Sequence, residues 1–172
     1  YPPRELCHFI NAHKEQGVRA GQAEAYDNYT QKRVELYAEY ETQCNREGVV
    51  DFAELLLRCH ELLQRNEPLR THYQERFRYI LVDEFQDTNK LQYAWLQLLA
   101  GGGAKVFAVG DDDQSIYAFR GAEVGNMRDF ERDYCKTSTG DNVIRLEQNY
   151  RSQGNILAAA NALIKNNRER LG

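Results

Sequence analysis

What most limits the fold of this chain is a handover, repeated along its second half, from a short apolar run to a polar cluster. Tyr79-Ile80-Leu81-Val82 passes directly into Asp83-Glu84-Phe85-Gln86-Asp87, and Val106-Phe107-Ala108-Val109 into Gly110-Asp111-Asp112-Asp113-Gln114. Val143-Ile144-Arg145-Leu146 leads into Glu147-Gln148-Asn149-Tyr150-Arg151-Ser152. Runs this short suit buried parallel strands better than helices. Helical stripes alternate with them. Leu91, Ala94, Trp95, Leu98 and Leu99 end at Gly101-Gly102-Gly103, while Ile156, Leu157, Ala160, Leu163 and Ile164 follow the third run. Strand and helix in alternation predict an α/β fold with a parallel sheet, whose ligands bind at the carboxyl ends of the strands.

Residues 1–77 read differently, as an all-helical segment. Pro2-Pro3 open a helix with Leu6, Phe9 and Ile10 on one face, and Gly17 is its stop. Tyr26, Tyr29, Tyr37, Tyr40 and Cys44 mark a longer helix closed by Gly48, with a spacing that favours core packing over base stacking. Asp51 and Glu54 form a capping-box pattern ahead of a stripe of Phe52, Leu55, Leu56, Cys59, Leu62 and Leu63. Pro68 interrupts that helix, and a short helical piece follows.

Composition removes several function classes. Lys plus Arg number 22 against 26 Asp plus Glu, for a net charge of −4. Nucleic acid must then be bound through a local groove, not through bulk charge. The four cysteines, Cys7, Cys44, Cys59 and Cys135, make no Cys-x-x-Cys pair and read as buried or incidental reduced thiols. No apolar run approaches the roughly 20 residues of a membrane span, and Tyr1-Pro2-Pro3-Arg4 is not a signal peptide. Tyr1 in place of Met points to a piece of a longer protein.

The strand-end clusters carry the chemistry. An Asp then a Glu at the end of an apolar strand suits a nucleotide triphosphatase, with Asp83 holding Mg²⁺ and Glu84 orienting the attacking water. The plainer reading has Asp87 or Thr88 capping the next helix and Asp83 and Glu84 as solvated charges. Asp111, Asp112 and Asp113 repel one another unless a cation is near. Gln114 offers an amide that both donates and accepts, suited to a γ-phosphate or a positioned water. Tyr117, Phe119 and Arg120 combine two rings and a cation, which suits single-stranded bases and a phosphate; the alternative is rings plugged into the core. Arg151 at the third junction can reach a phosphate as an arginine finger, Tyr150 can stack on a nucleobase, and Ser152 is placed to cap the next helix.

Taken in order, Asp-Glu-Phe-Gln-Asp-Thr-Asn, Gly-Asp-Asp-Asp-Gln-Ser-Ile-Tyr and Leu-Glu-Gln-Asn-Tyr-Arg-Ser resemble three motifs of the UvrD/Rep/PcrA family of superfamily 1A DNA helicases. The likeness extends through Gly48-Val49-Val50-Asp51-Phe52-Ala53-Glu54-Leu55-Leu56 to Pro2-Pro3-Arg4 and to Asn161-Ala162-Leu163-Ile164, so it covers essentially the whole chain. It implies a motor that moves 3′ to 5′ on single-stranded DNA and at single-strand/duplex junctions, uses ATP and Mg²⁺, works in repair or replication with possible repair-protein partners, and is cytoplasmic and nucleoid-associated in bacteria. By the same likeness residues 1–77 correspond to the helical 1B segment. Residues 78–143 correspond to the second half of a RecA-like domain 1A of the P-loop NTPase type, and residues 144–172 to the start of domain 2A. The resemblance implies Mg²⁺ handling by Asp83, water activation by Glu84 and γ-phosphate sensing by Gln114. It implies single-stranded DNA contact by Tyr117, Phe119 and Arg120, adenine stacking by Tyr150, and γ-phosphate contact by Arg151.

Three departures stand out. Phe119 takes a position where relatives usually carry Trp, and Phe offers a smaller stacking face. Cys135 to Gly140 forms a longer connection than usual, read as a surface-loop insertion. No Gly is followed by Lys anywhere in the chain, so the phosphate loop G-x-x-x-x-G-K-[ST] is absent. The expectation is an internal section of a helicase, inactive by itself. Its rivals are a helicase-derived binding module without catalysis and a metal-dependent nuclease built on Asp83, Glu84 and Asp111–Asp113. The nuclease would need a Lys or His beside those carboxylates, and none lies within five residues of Asp83 or Asp111.

Overall fold

The computed structural model describes residues 1–118, 121–123, 125–137 and 140–167. The first helix, α1 (Pro3–Glu15), has Pro in its first turn, where the missing N–H costs nothing, and ends just before Gly17 at φ 79°. A short 3₁₀ turn (Ala20–Gln22) leads to α2 (Asn28–Glu47), capped by the Asp27 side chain on the Thr30 N–H and closed by Gly48 at φ 68°. Next come α3 (Phe52–Arg65) and α4 (Glu67–Arg76), which meet at Asn66. Pro68 thus lies in the first turn of α4, a position it tolerates, and the break and the short helix expected around it are both present.

Four residues, Tyr79–Val82, form β1, and Lys105–Ala108 form β2; α5 (Lys90–Ala100) connects them. The two strands pair in parallel, Tyr79 with Lys105 through Val82 with Ala108. The chain is therefore mixed helix and strand with a small parallel sheet, compatible with the α/β expectation. Beyond it lie α6 (Gly125–Phe130), one π-helical turn (Glu131–Cys135), and a two-residue antiparallel ladder of β3 (Lys136–Thr137) with β4 (Gly140–Asp141). The last helix is α7 (Gly154–Ile164). Of the long connection after Cys135, Lys136 and Thr137 pair with Asp141 and Gly140, and residues 138 and 139 lie outside the described residues.

Two expectations about the sheet are corrected. Residues 143–149 form no strand, and Ile144 and Leu146 are exposed. A strand exists through its ladder, and neither of the two ladders among the described residues includes this segment. Nor are β1 and β2 buried on both faces. Ile80, Val82, Val106 and Ala108 pack on Phe85, Tyr93, Leu96 and Phe130, whereas Tyr79, Leu81 and Phe107 on the opposite face are exposed. Side chains alternate across a strand, so a single covering layer buries only one set.

The helices are held to that layer through α5. Helix α3 packs against α5, and α1 and α4 each touch both. The α5 stripe is wider than predicted, because Tyr93 and Leu96 are also buried, facing the sheet. A second core joins Ile10, Ala20 and Tyr37 with Leu6, Phe9 and Tyr40, whereas Tyr26 and Tyr29 are exposed.

An ion network sets the rotation of α3. Lys14, 1% exposed, donates to Asp51 Oδ2 at 2.7 Å and reaches Glu54 Oε2 at 2.8 Å. Arg19 holds Glu41 at 2.9 Å, Glu54 at 2.7 Å and Glu61 at 2.8 Å. Drawing Glu54 inward turns Leu57 and Leu63 into the core and leaves Phe52, Leu55, Cys59 and Leu62 facing out, contrary to the apolar stripe. Asp51 caps the Glu54 N–H at 2.7 Å, but the Glu54 carboxylate is spent on cations, so the capping box is half formed. Burial alone would push the Glu54 carboxyl up, yet Lys14, Arg58 and Arg19 outweigh it and hold it at about 2. All four cysteines are free thiols, Cys7 and Cys59 exposed and Cys44 and Cys135 half-buried, which fits the incidental alternative and not the buried one. Among the described residues no helix is long and apolar enough to cross a membrane.

Candidate functional site

The parallel ladder continues past its last residue pair. Val109 N–H donates to Val82 O at 2.8 Å and Phe85 N–H to Val109 O at 2.9 Å, so both strands end at one level with Phe85 buried as the anchor. The chain must then turn away sharply. It does so at Glu84, with φ 49° and ψ 45°, the left-handed conformation that costs a non-Gly residue about 1–2 kcal/mol. Asp83 Oδ1 accepts the Glu84 N–H at 3.0 Å, and a 3₁₀ turn (Phe85–Asp87) follows.

Gln86, within that turn, joins the two strand ends. Its side chain is buried; Nε2 donates to Glu84 Oε2 at 2.7 Å and Oε1 accepts the Asp111 N–H at 3.1 Å. The approach requires glycine at position 110, since a Cβ there would lie 2.8 Å from Gln86 Oε1. Asp111 starts a second 3₁₀ turn (Asp112–Gln114), accepting the Asp113 N–H at 3.1 Å and the Gln114 Nε2–H at 2.7 Å. The carboxylates of Asp111, Asp112 and Asp113 converge within 4.8 Å of one another.

The capping alternative for this region fails. Asn89 caps α5, exchanging hydrogen bonds with Gln92 at 2.8 and 2.9 Å. The Thr88 hydroxyl donates to Phe85 O at 2.7 Å, and Thr88 O accepts from Asn126 Nδ2 at 2.9 Å, tying the turn to α6. Asp87 Oδ1 is buried and has no partner among the described residues.

Of the residues singled out from sequence, Asp83, Glu84 and Gln114 gather at the two strand ends, connected through Gln86 and Asp111. Tyr117 is half-buried nearby, its carbonyl accepting the Ala122 N–H at 3.3 Å. Phe119 and Arg120 lie outside the described residues. Tyr150 is 87% exposed, and no hydrogen bond or ion pair among the described residues joins Tyr150 or Arg151 to Asp83, Glu84 or Gln114. Ser152 does not cap α7. The Asn149 side chain instead accepts the Arg151 and Ser152 N–H groups at 2.9 Å each, and Gln153 takes the N-cap position without a side-chain bond. The stretch after α7 does reach the second cluster, with Asn167 Nδ2 donating to Asp113 Oδ1 at 3.2 Å. Gln86 and Gly110 were given no role from sequence; the available signal was a neutral donor-acceptor amide set between carboxylates.

The residues present suit a divalent cation. Asp83 offers an exposed carboxylate with one oxygen free of protein donors among the described residues, and hard oxygen ligands are what Mg²⁺ takes.

The sequence pattern of the UvrD/REP helicase N-terminal domain matches residues 1–135. DNA helicase II of Escherichia coli (strain K12) is 53% identical over 100% of this chain, which covers 24% of that protein. DNA helicase II of Haemophilus influenzae is 49% identical, with 100% and 23% covered. ATP-dependent DNA helicase PcrA of Staphylococcus aureus is 46% identical over 87% of the chain and 20% of its own length. The chain thus spans about a quarter of the length of the curated relatives it matches.

Proposed function

The chain belongs to the UvrD/REP helicase N-terminal domain family, and from that premise we propose that it forms the part of an ATP-dependent 3′-to-5′ DNA helicase in which Mg²⁺ handling and water activation reside. The observation that carries the reading is the bridged pair of strand ends. Asp83-Glu84 and Asp111–Gln114 emerge side by side, and one buried amide fixes their spacing.

The division of labour follows from position. Asp83 ends β1 with an open carboxylate oxygen and holds Mg²⁺ directly or through water. Bound Mg²⁺ supplies charge neutralisation between the β- and γ-phosphates of ATP. Glu84, thrown outward by its left-handed backbone, orients water and accepts its proton. Gln114, on the neighbouring turn, senses the γ-phosphate, and Arg151 contacts it from the segment ahead of α7 while Tyr150 stacks on adenine. Tyr117, Phe119 and Arg120 meet single-stranded DNA. In this reading β1 and β2 belong to a RecA-like domain 1A, residues 1–77 to a 1B segment, and residues 144–172 to domain 2A. Repair or replication is the setting, at single-strand/duplex junctions. Because the chain carries no Gly-Lys pair, and so no phosphate loop, it does not turn over ATP alone.

Glu84→Gln in the full-length protein tests the assignment. Nucleotide affinity should hold while turnover falls by at least about a hundredfold, the usual loss with a general base. Near-normal hydrolysis would remove Glu84 from its role. Arg151→Ala should depress hydrolysis and spare single-strand affinity measured without nucleotide; equal loss of both would place Arg151 on DNA.

A further inference from the structure

We propose that Gln86 is a positioning residue for hydrolysis: it holds the Glu84 carboxylate in place and ties that place to the backbone of the second strand-end turn. The inference rests on Glu84 being the water-activating acid. Three observations support it. Gln86 is 1% exposed, so the bonds of its amide are shielded from water and geometrically fixed. Both ends of the amide are used, Nε2 on Glu84 Oε2 at 2.7 Å and Oε1 on the Asp111 N–H at 3.1 Å. The chain also gives up a side chain at Gly110 to allow the approach, since a Cβ there would come within 2.8 Å of Gln86 Oε1 and 3.3 Å of its backbone N.

Glu84 needs such a partner. It is exposed, and its left-handed backbone gives no helix or strand neighbour to fix its rotamer. An exposed glutamate samples several rotamers, and misplacement of a reacting group by about 1 Å can cost a hundredfold in rate. One buried amide donor removes that freedom at one carboxylate oxygen and leaves the other open to water. The acceptor end adds a second consequence. Asp111 also bonds Gln114, so a shift of the γ-phosphate-sensing turn pulls on Gln86 and through it on Glu84. The two strand ends are mechanically one unit.

The test is a double-mutant cycle in the full-length protein, combining Gln86→Met with Glu84→Gln. Gln86→Met keeps the volume and removes both polar ends. It should lower kcat about tenfold or more with the KM for ATP and the affinity for a non-hydrolysable nucleotide changed less than threefold. In the Glu84→Gln background it should lower the residual kcat less than twofold, because a positioning residue has nothing left to position. Equal losses in both backgrounds would overturn the proposal and leave Gln86 a packing residue. Hydrogen exchange gives a readout independent of turnover: the Asp111 amide, protected in the parent protein, should exchange faster in Gln86→Met, and unchanged exchange would also overturn the link. Where Gln86→Met fails to fold, Gln86→Glu serves, since it keeps an acceptor for Asp111 and replaces the donor to Glu84 by a carboxylate oxygen that repels it. A kcat within twofold of the parent in Gln86→Glu would count against the proposal. Full activity in Glu84→Gln alone marks a different failure, that of Glu84 itself.

Discussion

Two clusters of carboxylates in this chain are handled in opposite ways. In the helical half, Glu41, Asp51, Glu54 and Glu61 surround Lys14 and Arg19, and each named acid has a cation within 2.9 Å. At the strand ends, Asp83 and Glu84 are exposed and their carboxylates accept from the Glu84 backbone N–H and the Gln86 amide, while Asp111, Asp112 and Asp113 lie close beside one another. The first cluster is electrostatically closed and its business is to set the rotation of α3. In the second, Asp83 and Glu84 face solvent, each with one carboxylate oxygen that no donor among the described residues occupies. Local charge balance, not carboxylate count, separates structural acids from candidate functional ones.

Breaking the closed cluster should show the largest effect. Lys14→Met removes the buried cation between Asp51 and Glu54, leaving Glu54 with Arg19 and Arg58 but the half-buried Asp51 with no cation among the described residues, a change expected to cost about 3 kcal/mol, the low end for a broken buried pair. Urea unfolding monitored by circular dichroism measures it. A loss under about 1 kcal/mol would mean that the network follows the helix packing and does not direct it.

Acid should produce the next effect, and in a defined direction. The Glu54 carboxyl ordinarily titrates near 4.5 and is held at about 2 in the folded chain. A lowered folded value stabilises above the unfolded pKa, and the gain disappears as pH falls from about 4.5 to about 2. At roughly 1.4 kcal/mol per pH unit of displacement this amounts to about 3 kcal/mol. Burial opposes the shift in Asp51, but Lys14, the Glu54 N–H and Tyr40 lower its pKa and add a loss of the same sign. Glu54→Gln should flatten the acid limb of a stability-against-pH curve. An unchanged limb would assign acid sensitivity to other groups.

The contrast also explains what was legible in the sequence. Signals carried by one residue and its near neighbours came through: Gly48 at a left-handed helix end, Asp51 as a cap, and the paired runs of β1 and β2. The strand-end acids were legible because position at a strand's carboxyl end is itself a chemical address. Long-range choices did not show. The stripe of Leu55, Cys59 and Leu62 was as regular as a buried one, but Lys14, forty residues upstream of Glu54 in sequence, decided which side turned in. Val143 to Leu146 had the composition of a strand, and composition cannot supply a ladder partner. Gln86 was passed over because an amide between carboxylates is ordinary in sequence; its two bonds exist only once Asp111 is beside it.

The smallest effect gives the sharpest comparison, because it concerns backbone strain. Glu54 sits in regular helix, whereas Glu84 holds φ 49°, where a Cβ is disfavoured. In regular helix or strand, Ala is more stable than Gly by roughly 0.5–1 kcal/mol, since Gly loses more freedom on folding. At position 84 that order should reverse. Glu84→Gly relieves the left-handed penalty and Glu84→Ala keeps it, while both lose the same bond from Gln86. Glu84→Gly should therefore be the more stable of the two by about 1 kcal/mol, with hydrolysis lost in both full-length variants. Paired denaturant titrations decide the order. If Glu84→Ala proved the more stable, the left-handed turn would not be what sets this residue apart.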